Sequence, residues 1–350
     1  MKNIFKAIGI FVSAFVLSGA AALAQEQQSF TIQLEDKTLP VGDFSTINAT
    51  GDFEVTLDKG DYGVRLTVDN ALSPYVQVYV RAKTLYIGYD EKSVPKDIKK
   101  LYKQKNASAP TFRAVVTLPE LAGITVADNA VINSAVEFPG EYVTISLADK
   151  AQIKSLSVNS VTANVTMAKN TQAVLSLKAD DKIEITNEGN SNLKLSANTG
   201  NLVVNGNGNA TISIGAETPV ANVNGAANSK IALVGLCGKG YLAANSKIAL
   251  AAKADKIVAG GIANTKIVLS GETTTLEIRT EKNAEIDGDG LLTKEVIANL
   301  NGNSRANVNV SETIEATILG GSSLFYTGTP AFKIGRVIKS TLAPKGAPVK

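Results

Sequence analysis

The chain has 350 residues, 44% of them hydrophobic, 19% charged and 5% aromatic, with a formal net charge of +3. That apolar share excludes a disordered chain, which needs low hydrophobicity and high net charge. There is no His, no Trp and one Cys, which excludes His-based triads, zinc sites built on His or paired Cys, and an intramolecular disulfide framework.

Residues 1–24 read as a signal peptide. Lys2 and Lys6 precede an apolar run from Ala7 to Leu17, and Ala22-Leu23-Ala24 offers small side chains at a cleavage site. The run is short for a membrane anchor. Without Lys2 and Lys6 the mature chain carries 33 basic against 32 acidic residues, a balance that argues against a nucleic-acid partner. No transmembrane segment is expected in the mature chain. The expected location is exported: periplasm, cell surface or secreted.

Residues 30–118 predict an N-terminal β cap with irregular first rungs. Phe30-Thr-Ile-Gln-Leu, Phe53-Glu-Val-Thr-Leu, Val64-Arg-Leu-Thr-Val, Val76-Gln-Val-Tyr-Val, Leu85-Tyr-Ile and Ala114-Val-Val-Thr-Leu alternate apolar with polar at strand period. Most Tyr and Phe fall here or near Phe325, Tyr326 and Phe332, as expected of large side chains closing the two ends of a core. The stretch 91–111 departs from strand patterning and predicts a short helical insertion. Pro95 suits a first helical turn. Ile98, Leu101 and Tyr102 would share one face, with Lys96, Lys99, Lys100 and Lys103 toward water.

From residue 129 a short phrase recurs: Asn129-Ala-Val-Ile, Lys150-Ala-Gln-Ile, Asn170-Thr-Gln-Ala, Asn190-Ser-Asn-Leu, Asn209-Ala-Thr-Ile, Asn228-Ser-Lys-Ile, Asn245-Ser-Lys-Ile, Asn264-Thr-Lys-Ile, Asn283-Ala-Glu-Ile, Asn303-Ser-Arg-Ala and Ser322-Ser-Leu-Phe. These eleven copies stand 17 to 21 residues apart. Asn at the first position marks a corner, since it tolerates positive φ and bonds local backbone. The second position is always Ala, Ser or Thr, which implies a tight site. The fourth is apolar, and two residues further on Leu175, Leu195, Ile214, Leu233, Leu250, Leu269 and Val308 are apolar again. That is strand periodicity with one face buried. A second strand fits between corners, as in Val143-Thr-Ile-Ser-Leu or Leu276-Glu-Ile-Arg.

The architecture that satisfies this pattern is all-β: a parallel β-solenoid, right-handed by the usual rule for parallel crossovers, of about eleven 19-residue rungs spanning 119–335. Intervals that hold no multiple of six disfavour a left-handed hexapeptide helix. Like columns would stack at about 4.8 Å. Asn190, Asn209, Asn228, Asn245, Asn264, Asn283 and Asn303 would then form a structural amide ladder. Residues 341–350, rich in Pro and Lys, predict a flexible tail.

Phe44-Ser-Thr-Ile47-Asn-Ala-Thr-Gly51-Asp-Phe-Glu-Val55-Thr-Leu57, Leu85-Tyr-Ile87, the Asn-rich rungs and Tyr326-Thr-Gly328-Thr-Pro330 resemble the putative auto-transporter adhesin, head GIN domain family, over roughly residues 41–335. The resemblance implies a β-helical, extracytoplasmic protein of Bacteroides-type bacteria (Bacteroidetes) with an adhesive role at the cell envelope. It supplies no catalytic residues.

Chemistry has few places to sit. Many β-helical proteins are polysaccharide lyases or hydrolases, which hold paired carboxylates, or a base beside an Arg, in a cleft built from long loops. Here the rung length leaves loops no spare residues. Asp180, Asp181, Asp255, Glu272, Glu285, Asp287 and Asp289 read as solvated turns. Asp287-Gly-Asp289-Gly has calcium-type oxygen ligands but occurs once, without the repetition of calcium-binding β-rolls. No metal, cofactor or catalytic residue is expected. Cys237 reads as a small buried hydrophobe. The third phrase position holds Lys230, Lys247 and Lys266 in three consecutive rungs. Their stems could simply splay into water and keep the face soluble, or form a polyanion-binding stripe. The leading expectation is a non-catalytic exported β-solenoid with an adhesive or structural role, whose partner is a glycan or an envelope or matrix protein. The alternative is a carbohydrate-active enzyme with a shallow groove. A third reading, a scaffold for another envelope protein, requires an apolar face or an uncovered strand edge.

Overall fold

The computed structural model describes residues 32–104 and 107–346. The described residues from Gln33 onward belong to one compact unit, and the expected signal peptide, 1–24, lies outside the described residues. The chain is 70% strand, coiled as a parallel β-solenoid of about 12 turns with ~19-residue spacing.

The rung at 171–191 shows why the sequence coils. Ala173, Leu175, Leu177 and Ala179 are buried at strand period, the chain bends at exposed Asp180 and Asp181, and Ile183, Ile185 and Asn187 are buried in turn. The exposed Glu188-Gly-Asn190 corner then leads to buried Ser191, where the next rung begins. Matching positions stack: Ile212 pairs with Ile231, which pairs with Ile248, then Ile267, then Ile286, each 2% exposed or less. Full burial of such a side chain contributes about 1.5–3 kcal/mol. The core is therefore a set of continuous apolar columns.

The small second position of the phrase is buried in every copy, from Ala130 and Ala151 through Ser229, Thr265 and Ser304 to Ser322. Its hydroxyls tie the corner: Ser191 donates to Glu188 O at 2.6 Å, Thr265 to Ile262 O at 2.7 Å and Ser304 to Asn301 O at 2.7 Å. Ser322 itself fixes the register of the last copy. Arg305 pairs with Ser323 and Ala306 with Leu324, so that phrase begins at Gly321, one residue before the expected Ser322. Ser322 fills the tight site and Leu324 the core.

The Asn corners divide into two kinds. Before Asn170, Asn190, Asn209, Asn228, Asn264, Asn283 and Asn303 the preceding residue is left-handed, and at Asn170, Asn283 and Asn303 the Asn takes positive φ as well. The amide ladder is formed along one stretch. Asn190 Nδ2 donates to Asn170 Oδ1 at 3.0 Å, Asn209 to Asn190 at 2.8 Å and Asn228 to Asn209 at 3.3 Å. Among the described residues the side chains of Asn245, Asn264, Asn283 and Asn303 make no such bond.

The solenoid begins before the phrase does, and out of chain order. Thr46–Ala49 pairs in parallel with both Thr84–Tyr89 and Gly123–Val126, and Glu54–Lys59 with both Phe112–Leu118 and Val131–Pro139. The rung at 46–59 thus lies between a later rung, 84–118, and a still later one, 123–139. Antiparallel strands finish this end: Gly63–Asp69 pairs with Phe112–Leu118, Leu34–Leu39 with Gly63–Asp69, and Val76–Arg81 with Thr84–Tyr89. Among the described residues of 91–111 the helical ones are a 3-10 turn, Glu91–Ser93, and a short α-helix, Lys96–Leu101, with Ile98 and Tyr102 packed on the core.

At the other end, part of the expected tail, 341–350, is strand. Thr341–Pro344 forms a strand parallel to 323–326, and Lys345 N donates to Tyr326 O at 2.8 Å. Leu342, half-buried, packs in the column of buried Leu324, which sets this segment's pairing.

Candidate functional site

The third phrase position points outward beside a buried Ile, so its side chains line up along the solenoid. Lys230, Lys247, Lys266, Glu285 and Arg305 are successive partners in this column. The structure therefore brings the three predicted lysines together. Neighbouring charges at about 5 Å in water repel by under about 1 kcal/mol, which long solvated stems tolerate. The column is closed at one end: Lys266 Nζ lies 3.1 Å from Glu285 Oε1, and the Arg305 guanidinium sits 4.8 Å from the centre of the Phe325 ring. Lys230 and Lys247 are exposed and meet no carboxylate among the described residues. Alongside them the outward positions are small or apolar: Ala232, Ala249 and Val268, then Val234. The result is a low-relief face with a cationic edge.

A second surface lies at the bend between the two strand runs of each rung. A groove of about 650 Å³ crosses several rungs there, walled by Leu236, Lys253, Glu272 and Leu292 and floored by Thr218, Cys237, Ala254, Thr273 and Thr293. The floor residues are buried and hold the bend itself. Thr218 donates to Val220 O at 2.8 Å, Cys237 Sγ to Lys239 O at 3.0 Å and Thr273 to Thr275 O at 3.3 Å, each a side chain capping a carbonyl two residues on. Cys237 is thus a thiol in a hydroxyl column, and burial pushes it above the ordinary thiol range. This corner device is absent from the sequence reading; the signal for it is the Ser160, Thr199, Thr218, Thr273, Thr293 series, interrupted by Ala and Cys.

Three of the seven carboxylates read as solvated turns are neutralised locally, Glu285 by Lys266 as described above. Glu272 pairs with Lys253 at 3.4 Å and Asp289 with Lys345. Asp289 N donates to Asp287 Oδ1 at 3.3 Å. No group of three or more His, Cys, Asp or Glu among the described residues could hold a metal ion. One buried acid was missed by sequence. Glu277 is 9% exposed and lies 3.0 Å from Lys256 Nζ and 2.7 Å from Arg279 Nε. Lys256, then Arg279, hold its carboxyl below the usual range against the opposing effect of burial. Glu277 and Arg279 are two apart on one strand and so share its outward face, the one cue the sequence offers.

A family model described as putative auto-transporter adhesin, head GIN domain, matches residues 43–235 and 221–330. Among solved structures the chain is similar to a putative adhesin from Parabacteroides merdae ATCC 43184, at 17% identity, covering 89% of this chain and 96% of that one, with a TM-score of 0.35. A putative adhesin from Parabacteroides distasonis ATCC 8503 aligns at 16% identity over 89% of this chain and 97% of that one, TM-score 0.36. A putative lipid binding protein from the same organism aligns at 15% identity over 89% and 96%, TM-score 0.27. No curated protein matches the chain. Among the described residues no helix is long and apolar enough to cross a membrane.

Proposed function

The chain belongs to the putative auto-transporter adhesin, head GIN domain family, and on that footing we propose that it is an exported, non-catalytic adhesin-like solenoid of the bacterial cell envelope. Its contact surface is the low-relief face edged by Lys230, Lys247 and Lys266, and its partner there is an anionic glycan. The observation that carries this reading is the register of the three lysines on consecutive rungs. A column of cations at rung spacing presents repeated charge to a polymer that itself repeats charge. Many weak contacts along a rigid support add up in a way that one pocket cannot match. The small residues beside the column let an extended chain lie flat.

The test is binding of the mature protein to an array of neutral, uronic-acid and sulfated polysaccharides, with Lys230→Gln/Lys247→Gln/Lys266→Gln as the comparison. The expected result is selective retention of the acidic polymers, weakened by added salt as screening requires and weakened further by the triple substitution. Equal binding of acidic polymers by both proteins rejects the stripe as the contact.

A further inference from the structure

The two ends of the solenoid are built differently. At the N-terminal end the outermost parallel strands, Thr84–Tyr89 and Phe112–Leu118, are covered by antiparallel neighbours. At the C-terminal end Ala331–Ile338 pairs only with 313–319, and Thr341–Pro344 only with 323–326, among the described residues. Each therefore leaves one ladder edge open. The core columns surface at this edge. Phe332, Ile334 and Val337 stack on Ile314, Ala316 and Ile318, which are 0%, 1% and 0% exposed, yet are themselves 45%, 47% and 38% exposed. Phe332 and Ile334 alternate, and Val337 follows a bulge at Gly335; an open edge carrying such apolar side chains is a template for one more strand.

Charge decides what that strand is. Residues 331–346 contain Lys333, Arg336, Lys339 and Lys345 and no acidic residue. Lys333 is paired with Glu315 at 2.8 Å and Lys345 with Asp289, whereas Arg336 and Lys339 meet no carboxylate among the described residues. A second copy docking through the same end would set cations against cations, the device that keeps strand edges from pairing with themselves. The opposite end is no better a mate, because the excursion at its surface carries Lys92, Lys96, Lys99, Lys100 and Lys103 against Asp90, Glu91 and Asp97. Beyond the glycan reading, and independent of it, we propose that the open C-terminal rung accepts an extended segment of another protein by strand addition. That segment is apolar at the positions over Phe332, Ile334 and Val337, and carries carboxylates between them, toward Arg336 and Lys339.

The probe is a synthetic peptide of about ten residues alternating Val and Glu, blocked at both ends, set against the same peptide with Lys for Glu. Binding is followed by fluorescence polarisation and located by hydrogen exchange. The Glu peptide is expected to bind and to slow exchange of amides in 331–344, and the Lys peptide to do neither. Arg336→Glu/Lys339→Glu should weaken the Glu peptide roughly tenfold, on the scale of reversing two exposed ion pairs. Ile334→Asp, at a position 47% exposed, should weaken it as well. Failure of the Glu peptide to bind, equal binding of the two peptides, protection elsewhere such as along 230–266, or a dimer of the free protein that Ile334→Asp dissolves would each overturn the proposal.

Discussion

Asn209 stands in the middle of the amide ladder, giving a hydrogen bond to Asn190 at 2.8 Å and receiving one from Asn228 at 3.3 Å. Asn245 occupies the same column without an amide partner among the described residues. Asn209→Ala should therefore cost about 1 kcal/mol, the net worth of such bonds near a surface, and Asn245→Ala distinctly less. Urea titration of the two variants side by side measures the difference; equal losses would mean that the ladder adds nothing beyond the corner. The ladder itself was legible as a recurring letter. Where it breaks was not, because Asn264 follows a left-handed residue just as Asn190, Asn209 and Asn228 do yet makes no amide bond among the described residues, and the sequences look alike.

At the level of the corner, Cys237 makes the same contact as Thr218 one rung before and Thr273 two rungs after. Burial raises its thiol pKa, so the folded state favours the protonated form. The stability this confers is complete below the ordinary thiol range and is lost as pH rises through it toward the raised folded value. Two outcomes follow. Alkylation by iodoacetamide should stay slow in the folded protein across the ordinary thiol range and become fast in denaturant. Cys237→Ser should flatten the alkaline fall in stability while leaving the fold intact, as read by thermal unfolding against pH. Fast alkylation of the folded protein would show the corner to be open. Sequence gave this cysteine's burial but not its task, because a column shared by Ser, Thr, Ala and Cys has no single letter to reveal it.

For the whole unit, each rung touches mainly the one above and the one below, so stability is close to a sum over neighbours. Lys247 and Lys266 are vertical partners, as are Ile248 and Ile267. Deleting residues 247–265 therefore joins equivalent points and preserves every column. That deletion should fold, keep a β-rich circular dichroism spectrum and lose only one rung's share of stability. Deleting 247–256 alone should fail to fold or aggregate, because it throws the core columns of all later rungs out of register. If the two deletions behave alike, vertical registration is not what holds the solenoid together. The columns from Asn129 onward could be laid out from the sequence because each rung repeats a phrase. The strands before it carry the same alternation without the phrase, so their partners, and the strand at Thr341–Pro344, emerged only from the structure.

The interleaving of the first rungs bears on how the protein is made. When Thr46–Ala49 and Glu54–Lys59 leave the ribosome, neither of their parallel mates has yet been synthesised. One mate arrives by residue 118 and the other only by residue 139, so the seed of the coil is a three-layer cluster that must assemble from non-adjacent pieces, a slow step by the cost of closing long loops. After it, every later turn finds its template already in place and can be laid down as it emerges, which gives the molecule a built-in direction of growth.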